Sequence, residues 1–237
     1  ILDAILYHDG VLNLTYDFAY VEDIDLPYNY GIVIGGDSLF TINGNNHTIS
    51  GSNLSGIFNI QVENALTFNN ITFANAYAGA ILNLDSKLII NNCAFINNTD
   101  YYDGGYDEGG AISSFTGELV ITDSVFINNT ARDGGAIDVE GANVTLTNCI
   151  FTDNKAVGDG IDSGTGGAIS TGNDEQTLTV NNCVFANNIA STSAVSPEYA
   201  PKGGAISSSG HVIINNSNFT NNSADYGGAI EFAFASA

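Results

Sequence analysis

One short stretch of the sequence concentrates residues that could bind a ligand. Residues 99–108 read Thr-Asp-Tyr-Tyr-Asp-Gly-Gly-Tyr-Asp-Glu, which places three tyrosines and four acids together. Tyrosine rings offer an apolar face with a polar hydroxyl, and such rings are enriched where proteins meet their partners. A merely solvated loop is the alternative. The predicted binding residues are Tyr101, Tyr102, Asp103, Tyr106, Asp107, Glu108 and, from a later loop, Tyr199.

The same acids are candidate ligands for calcium, which prefers carboxylate and carbonyl oxygens in flexible turns. The candidate set is Asp100, Asp103, Asp107 and Glu108, and Asp159 with Asp162 forms a second acidic, glycine-containing turn. Neither stretch has the spacing of an EF-hand loop. Calcium is therefore expected from ligand chemistry alone, and the sequence predicts no other cofactor.

The sequence contains ten Asn-x-Ser/Thr sequons, which are acceptors for N-linked sugars in secreted proteins. An asparagine- and threonine-rich repeat also produces such triplets without any glycosylation. The sequons expected to face outward are the better candidates for a glycoprotein, and these are Asn13, Asn53 and Asn143.

Net charge excludes two classes of partner. The chain has 4 Lys+Arg against 26 Asp+Glu, a formal net charge of −22. Nucleic-acid binding and docking on an anionic membrane both need clustered cations, so neither is expected. No run of eighteen apolar residues occurs, and no direct insertion into a membrane is predicted for this segment.

Two short words recur along the chain and predict its fold. Gly-Gly-Ala-Ile occurs at 109–112, 134–137, 166–169, 203–206 and 227–230, and Phe-x-x-Asn begins at Phe95, Phe126, Phe151, Phe185 and Phe219. The first glycine precedes the next phenylalanine by 16 to 19 residues, whereas 8 to 18 residues separate the phenylalanine from the next Gly-Gly. Each unit therefore has a rigid half and a half that accepts insertions.

The rigid half has the pattern of β-strands. Residues 119–126 and 144–151 alternate with period two and contain many β-branched residues, and glycine and asparagine supply the corners. Short strands in a regular repeat predict an all-β, right-handed, single-stranded parallel β-helix of about eight coils. Equivalent residues should stack, giving an internal phenylalanine column, an asparagine ladder, and a column of Ile71, Cys93, Ser124, Cys149, Cys183 and Ser217.

Together, the two words resemble the polymorphic membrane protein repeat of bacterial autotransported adhesins. The stretches 40–51, 56–60 and 69–73 are more similar still to the adhesin-like surface proteins of methanogenic archaea. The resemblance covers residues 31–237. It implies an extracellular β-helix at the cell surface or in the cell wall, with a role in cell adhesion.

Residues 1–30 depart from the repeat, and we expect them to form an N-terminal cap that covers the open solenoid end. Residues 31–237 are then the β-helix repeats, and further coils are expected after the last tetrad. The three cysteines are expected to stay unbridged, because in-register parallel side chains point the same way and a disulfide needs converging ones.

The predicted function is a non-catalytic adhesin-like surface protein that binds a glycan or surface protein of a host or neighbouring cell through loops on one edge. A structural stalk of the envelope is the first alternative. A β-helix polysaccharide lyase or glycoside hydrolase is the second, since pectate lyases and polygalacturonases use the same helix. Such enzymes need paired carboxylates or calcium with a base. Here the four cations and acids such as Asp138 are scattered in sequence, and His8, His47 and His211 share no motif.

Overall fold

The chain forms stacked parallel strands. The computed structural model describes residues 10–21, 31–36, 40–62, 64–100, 109–159, 163–193 and 199–232. These residues contain β-strands and no α-helix, and none of their elements is a helix with the length and apolar character to cross a bilayer. Every pair of named strands is parallel.

The strands follow one another with short connections. The first nine are β1 (Val11–Asn13), β2 (Phe18–Ala19), β3 (Ile32–Gly36), β4 (Phe40–Ser50), β5 (Phe58–Val62), β6 (Ala65–Ala74), β7 (Ile81–Asn83), β8 (Lys87–Asn91) and β9 (Ala94–Ile96). The next eight are β10 (Ile112–Ser114), β11 (Glu118–Thr122), β12 (Val125–Ile127), β13 (Thr130–Ala131), β14 (Ile137–Val139), β15 (Asn143–Thr147), β16 (Ile150–Thr152) and β17 (Lys155–Gly158). The last eight are β18 (Ile169–Thr171), β19 (Thr177–Asn181), β20 (Val184–Ala186), β21 (Ile189–Thr192), β22 (Ile206–Ser208), β23 (His211–Asn215), β24 (Asn218–Thr220) and β25 (Ile230–Phe232).

Each coil contributes one strand to each of several faces. The motif sheet, which holds the isoleucines of the tetrads, has the order β3-β5-β7-β10-β14-β18-β22-β25. A larger sheet has two arms joined through β4 and β6: the first arm runs β8-β11-β15-β19-β23 and the second arm β9-β12-β16-β20-β24. A short sheet, β13-β17-β21, closes the coil. The prediction of a right-handed parallel β-helix is confirmed, and the eight strands of the motif sheet agree with the expected number of coils.

The predicted internal columns are present. Successive rings of the Phe73–Phe219 column lie 4.6–4.8 Å apart and within 15° of parallel. The ladder asparagines are buried beside them. Asn129 shows the pattern: its Nδ2 donates to Oδ1 of Asn154 at 2.9 Å and to the Phe95 carbonyl at 3.1 Å, while its Oδ1 accepts from the backbone N and the Nδ2 of Asn98. Every polar atom of the amide therefore has a partner inside a dry core.

Backbone geometry explains the corner residues and the Gly-Gly pair. A corner residue with φ between 49° and 57° follows each arm strand from β8 onwards, and asparagine and aspartate accept this left-handed conformation more readily than most residues. Gly134 of the Gly-Gly pair also has positive φ, and a Cβ there would lie 2.1 Å from the Ile137 carbonyl oxygen. A Cβ on Gly135 would meet the Lys155 backbone at 2.6 Å. Gly134 is required because its own coil turns back on it with positive φ, and Gly135 because the backbone of the next coil passes in contact with it.

The cysteine column has a hydrogen-bonding role that the sequence did not reveal. The Cys93 backbone N–H donates to Ser124 Oγ at 3.1 Å, that of Cys149 to Cys183 Sγ at 3.4 Å, and that of Cys183 to Ser217 Oγ at 3.0 Å. All three thiols are free and buried, so the prediction of unbridged cysteines is confirmed. Burial raises the pKa of the Cys93 thiol to about 11. The hydrogen bond with Cys183, together with burial, raises the pKa of Cys149.

The N-terminal region adds strands to the same stack. Strand β1 pairs with residues 41–43 of β4, and β2 pairs with its last two residues. Asp17 Oδ1 accepts hydrogen bonds from the Thr48 backbone N–H at 2.8 Å and from His47 Nδ1 at 3.1 Å, which lowers the pKa of Asp17. The proposed cap thus continues the β-helix where it is described, and the boundary at residue 30 stays a prediction.

Candidate functional site

The insertions leave the helix along one side, which we call the insertion edge. It comprises the segments between the ladder asparagine of one coil and the Gly-Gly of the next. Equivalent residues of consecutive insertions stack above one another. Parallel bridges link Asp133, Thr165, Lys202 and Tyr226 into one column, which we call a file. The strands β13, β17 and β21 form a second file beside it. The prediction that the insertions cluster on one edge is confirmed for the described residues.

Most of the sequence-predicted binding residues cannot be placed. Six of them lie outside the described residues, as does Asp162. Their assignment as ligand-binding residues stays a prediction, and so does the assignment of Asp103, Asp107 and Glu108 as calcium ligands. The residues in question are Tyr101, Tyr102, Asp103, Tyr106, Asp107 and Glu108.

Two of the predicted residues are described and lie on the insertion edge. Asp100 is buried, and its backbone N–H donates to the Thr130 carbonyl at 2.8 Å. Tyr199 is half-buried and lies three residues before Lys202. Among the described residues no group of three or more His, Cys, Asp or Glu side chains has the geometry to hold a metal ion.

A network of polar side chains connects the insertions to the motif sheet. Asp133 Oδ1 accepts from the backbone N–H and the hydroxyl of Thr165, and the Thr165 and Ser170 hydroxyl oxygens lie 3.2 Å apart. The Arg132 guanidinium lies 3.9 Å from both Asp133 and Asp159, so it ties two neighbouring insertions together. The network fixes the base of these loops to the scaffold.

Asp138 is the carboxyl most altered by its surroundings. It occupies the central position of β14, where it is only 6 % exposed, and in the neighbouring coils this position is Ser113 and Ser170. Burial, followed by the nearby charge of Asp133, raises the pKa of Asp138 well above its ordinary value, although the Ser170 hydroxyl partly offsets this. A carboxyl with such a pKa is a recognised sign of a functional site, but structural networks produce it too.

These contacts correct two interpretations of the sequence. Asp138 is not isolated, because the coil brings Asp133 close enough to shift its pKa. The cations are not scattered either: Arg132, Lys155 and Lys202, three of the four in the chain, lie on the insertion edge. The signal was available in the repeat, since Asp133, Thr165 and Lys202 each stand directly before a Gly-Gly pair. Aligning the units on that pair places them in one file.

The glycosylation candidates all lie on the surface. Asn13, Asn53 and Asn143 are exposed. Asn13 Oδ1 accepts from Asn43 Nδ2 at 2.9 Å, and Asn143 Oδ1 accepts from the Thr177 backbone N–H at 2.8 Å. Asn53 lies in a turn with a φ of 57°. Their modification stays a prediction.

Comparison with known proteins agrees with this architecture. The family model for the right-handed β-helix region matches residues 17–174, about two-thirds of the chain, and the chain belongs to that family. The Chlamydia polymorphic membrane protein repeat matches residues 182–209, which hold one Phe-x-x-Asn and one Gly-Gly-Ala-Ile word. This unit of the chain is therefore similar to a polymorphic membrane protein repeat. No curated protein and no solved structure matches the chain significantly.

Proposed function

We propose that this protein is a non-catalytic, adhesin-like module of the cell surface or cell wall, similar to the surface proteins of methanogenic archaea. It presents the insertion edge of a stiff β-helix to a glycan or surface protein of a host or neighbouring cell. The polymorphic membrane protein repeat is associated with surface proteins, and both family matches fit an adhesin-like or structural role. No nucleic-acid partner is proposed.

The proposal is supported by the uneven distribution of aromatic and charged side chains around the coil. The four consecutive connections 99–108, 130–133, 155–165 and 189–202 leave one edge of a regular scaffold, and their sequences hold four tyrosines, eight carboxylates and three of the four cations. Variable loops on a rigid framework are where binding sites usually lie. A spacer that only extends another domain has no need of such a concentration.

A hydrolase or lyase is the weaker candidate, although β-helices also occur in enzymes. The strongest candidate for catalysis is Asp138, whose pKa is raised by burial and by the nearby charge of Asp133. Both carboxyls of a glycoside hydrolase must reach the scissile bond. Asp138 is 6 % exposed beneath the insertions, and the Asp133 carboxylate is occupied by Arg132 and Thr165. The pair is better suited to holding the loops than to attacking a sugar.

The test compares the whole chain with a variant whose insertions are shortened. Residues 101–108 and 189–202 are trimmed to the length of the connection at 131–134, and binding is measured on a glycan array and on intact cells. We expect the trimmed chain to keep its circular dichroism spectrum and to lose binding. Replacing the exposed arm residue Ile150 with serine is the matched control and should leave binding unchanged. Unaltered binding after trimming would favour the stalk or a different surface.

A further inference from the structure

Two lysines on the insertion edge lack the partners that the other two cations have. Lys87 Nζ lies 2.6 Å from Glu118 on the first arm, and Arg132 is shared by Asp133 and Asp159. Neither Lys155 nor Lys202 forms an ion pair with a carboxylate in the described part of the chain. Among the described residues of this acidic chain, these two ammonium groups have no carboxylate partner, so an anionic ligand group meets the least competition there.

The fold brings these two lysines onto neighbouring coils. Lys155 begins β17, above Thr130 and below Ile189, and its side chain is exposed. Lys202 is half-buried and lies in the adjacent file, between Thr165 and Tyr226. Successive coils are about 4.8 Å apart along the stack and the two lysines lie in neighbouring files, so one sugar-sized ligand lying across both files would contact both side chains.

Aromatic residues accompany the ammonium groups. Tyr226 is the bridge partner of Lys202 on the next coil and is 55 % exposed, and half-buried Tyr199 lies three residues before Lys202. An exposed ring offers a face for the apolar side of a sugar and a hydroxyl for its polar groups. An ammonium beside such a ring adds a site for a carboxylate.

The net charge restricts which anionic ligand can bind. A chain of charge −22 repels every additional negative charge, so a polyanion meets repulsion that grows with its length, whereas one carboxylate meets little. A neutral sugar can accept hydrogen bonds from the two ammonium groups, but a carboxylate forms the stronger, charge-assisted ones. We infer that Lys155 and Lys202, together with the ring of Tyr226, recognise a single carboxylate-bearing sugar residue. This inference rests on the proposed function and names the class of its glycan.

The experiment measures binding of the whole chain to matched acidic and neutral glycans, such as a glucuronate-terminated oligosaccharide and its glucose-terminated counterpart. The variants are Lys155→Gln, Lys202→Gln, the double variant and Lys87→Gln. A charged hydrogen bond contributes about 1.5–3 kcal/mol, so each single change should weaken binding of the acidic glycan by roughly 10- to 150-fold. Lys87→Gln, on the first arm, should match the unaltered chain.

Three results would overturn the inference: equal affinity for the two glycans, unaltered acidic-glycan binding by the double variant, or tighter binding of a polyuronate than of the single acidic sugar. In each of these cases the chain still binds glycans, and the proposed function survives. If the chain binds neither glycans nor cells, the proposed function itself fails. Thermal unfolding of each variant, expected to be unchanged at these surface positions, separates lost recognition from lost folding.

Discussion

Each coil has one part of constant length and one part of variable length, and the two parts differ in charge. The arm stretches 87–97, 118–128, 143–153, 177–187 and 211–221 are all eleven residues long, and together they hold one lysine and three acids, a net charge of −2. The four stretches between them are 20, 14, 23 and 23 residues long and hold three cations and twelve acids, a net charge of −9. The stretches of constant length hold the buried phenylalanine and cysteine columns, whereas the stretches of variable length hold most of the charged residues.

In a solenoid, the residues that stabilise the stack and the residues available for recognition can lie in different parts of each coil. Stacking requires every coil to place its phenylalanine and asparagine in register, so a single inserted residue in an arm would displace both columns. An insertion between the ladder asparagine and Gly-Gly leaves the columns intact, because the chain rejoins the stack at the next tetrad. Side chains that serve recognition can therefore change there without loss of the core.

The largest effect should follow from breaking the phenylalanine column. Phe151 is fully buried, between Phe126 at 4.6 Å and Phe185 at 4.8 Å. Phe151→Ala should lower the free energy of unfolding by about 3–5 kcal/mol, through lost burial and the cavity that remains. Denaturant unfolding followed by circular dichroism measures it. Ile150→Ala, at the adjacent and exposed position, should cost far less, and similar losses for the two would contradict the column.

Removing one rung of the ladder should cost almost as much. Asn154 Oδ1 accepts hydrogen bonds from the backbone N and Nδ2 of Asn129, and its Nδ2 donates to Asn188 and to the Phe126 carbonyl. Asn154→Ala leaves these groups buried without partners, and we expect a loss of about 2–4 kcal/mol. Asn181→Ala removes an outward-facing amide as the control. A midpoint equal to that of the control would show that the ladder contributes little.

Replacing Asp138 should have a smaller effect that depends on pH. Its pKa is raised in the folded chain, so folding favours the protonated form. The favourable contribution is complete below the ordinary aspartate pKa and is lost as the pH rises through the folded pKa. Asp138→Ser, the residue of the neighbouring coils, should therefore raise the melting temperature increasingly from pH 4 to pH 8. Glu175→Gln removes an exposed carboxylate that does not contribute to the Asp138 shift and is the control, and a gain independent of pH would exclude ionisation of Asp138 as the cause.

The smallest effect should come from the cysteine column. Ser124 and Ser217 already occupy this position, where their hydroxyls accept the N–H of the preceding coil and donate to the carbonyl two residues earlier. Cys149→Ser should therefore change the free energy of unfolding by less than about 1 kcal/mol. Thiol titration of the unaltered chain, denatured without reductant, should find three free thiols. A single free thiol would mean that Cys149 and Cys183 are joined.

The sequence predicted the scaffold better than the site, for a physical reason. Scaffold positions such as Phe151 and Asn154 repeat because every coil makes the same contacts, so one unit predicts the others. The site depends on residues that occur once. Asp138 is the only acid at its position among the neighbouring coils, and its closeness to Asp133 follows from how one connection packs on the sheet. Such contacts leave no periodic pattern in the sequence. Alignment of the repeats on Gly-Gly could, however, have placed Lys202 above Thr165.

The asparagine ladder has a mechanical consequence. Its rungs join residues 31, 25, 34 and 34 positions apart, and each coil is held only by the coils beside it. A pull along the chain would therefore detach the terminal coil first and leave the remainder folded. Each detachment releases roughly 80–120 Å of slack, at about 3.4 Å per residue. If the protein tethers a cell under flow, as proposed, the tether would lengthen in steps of one coil. Each detached coil could refold when the tension falls.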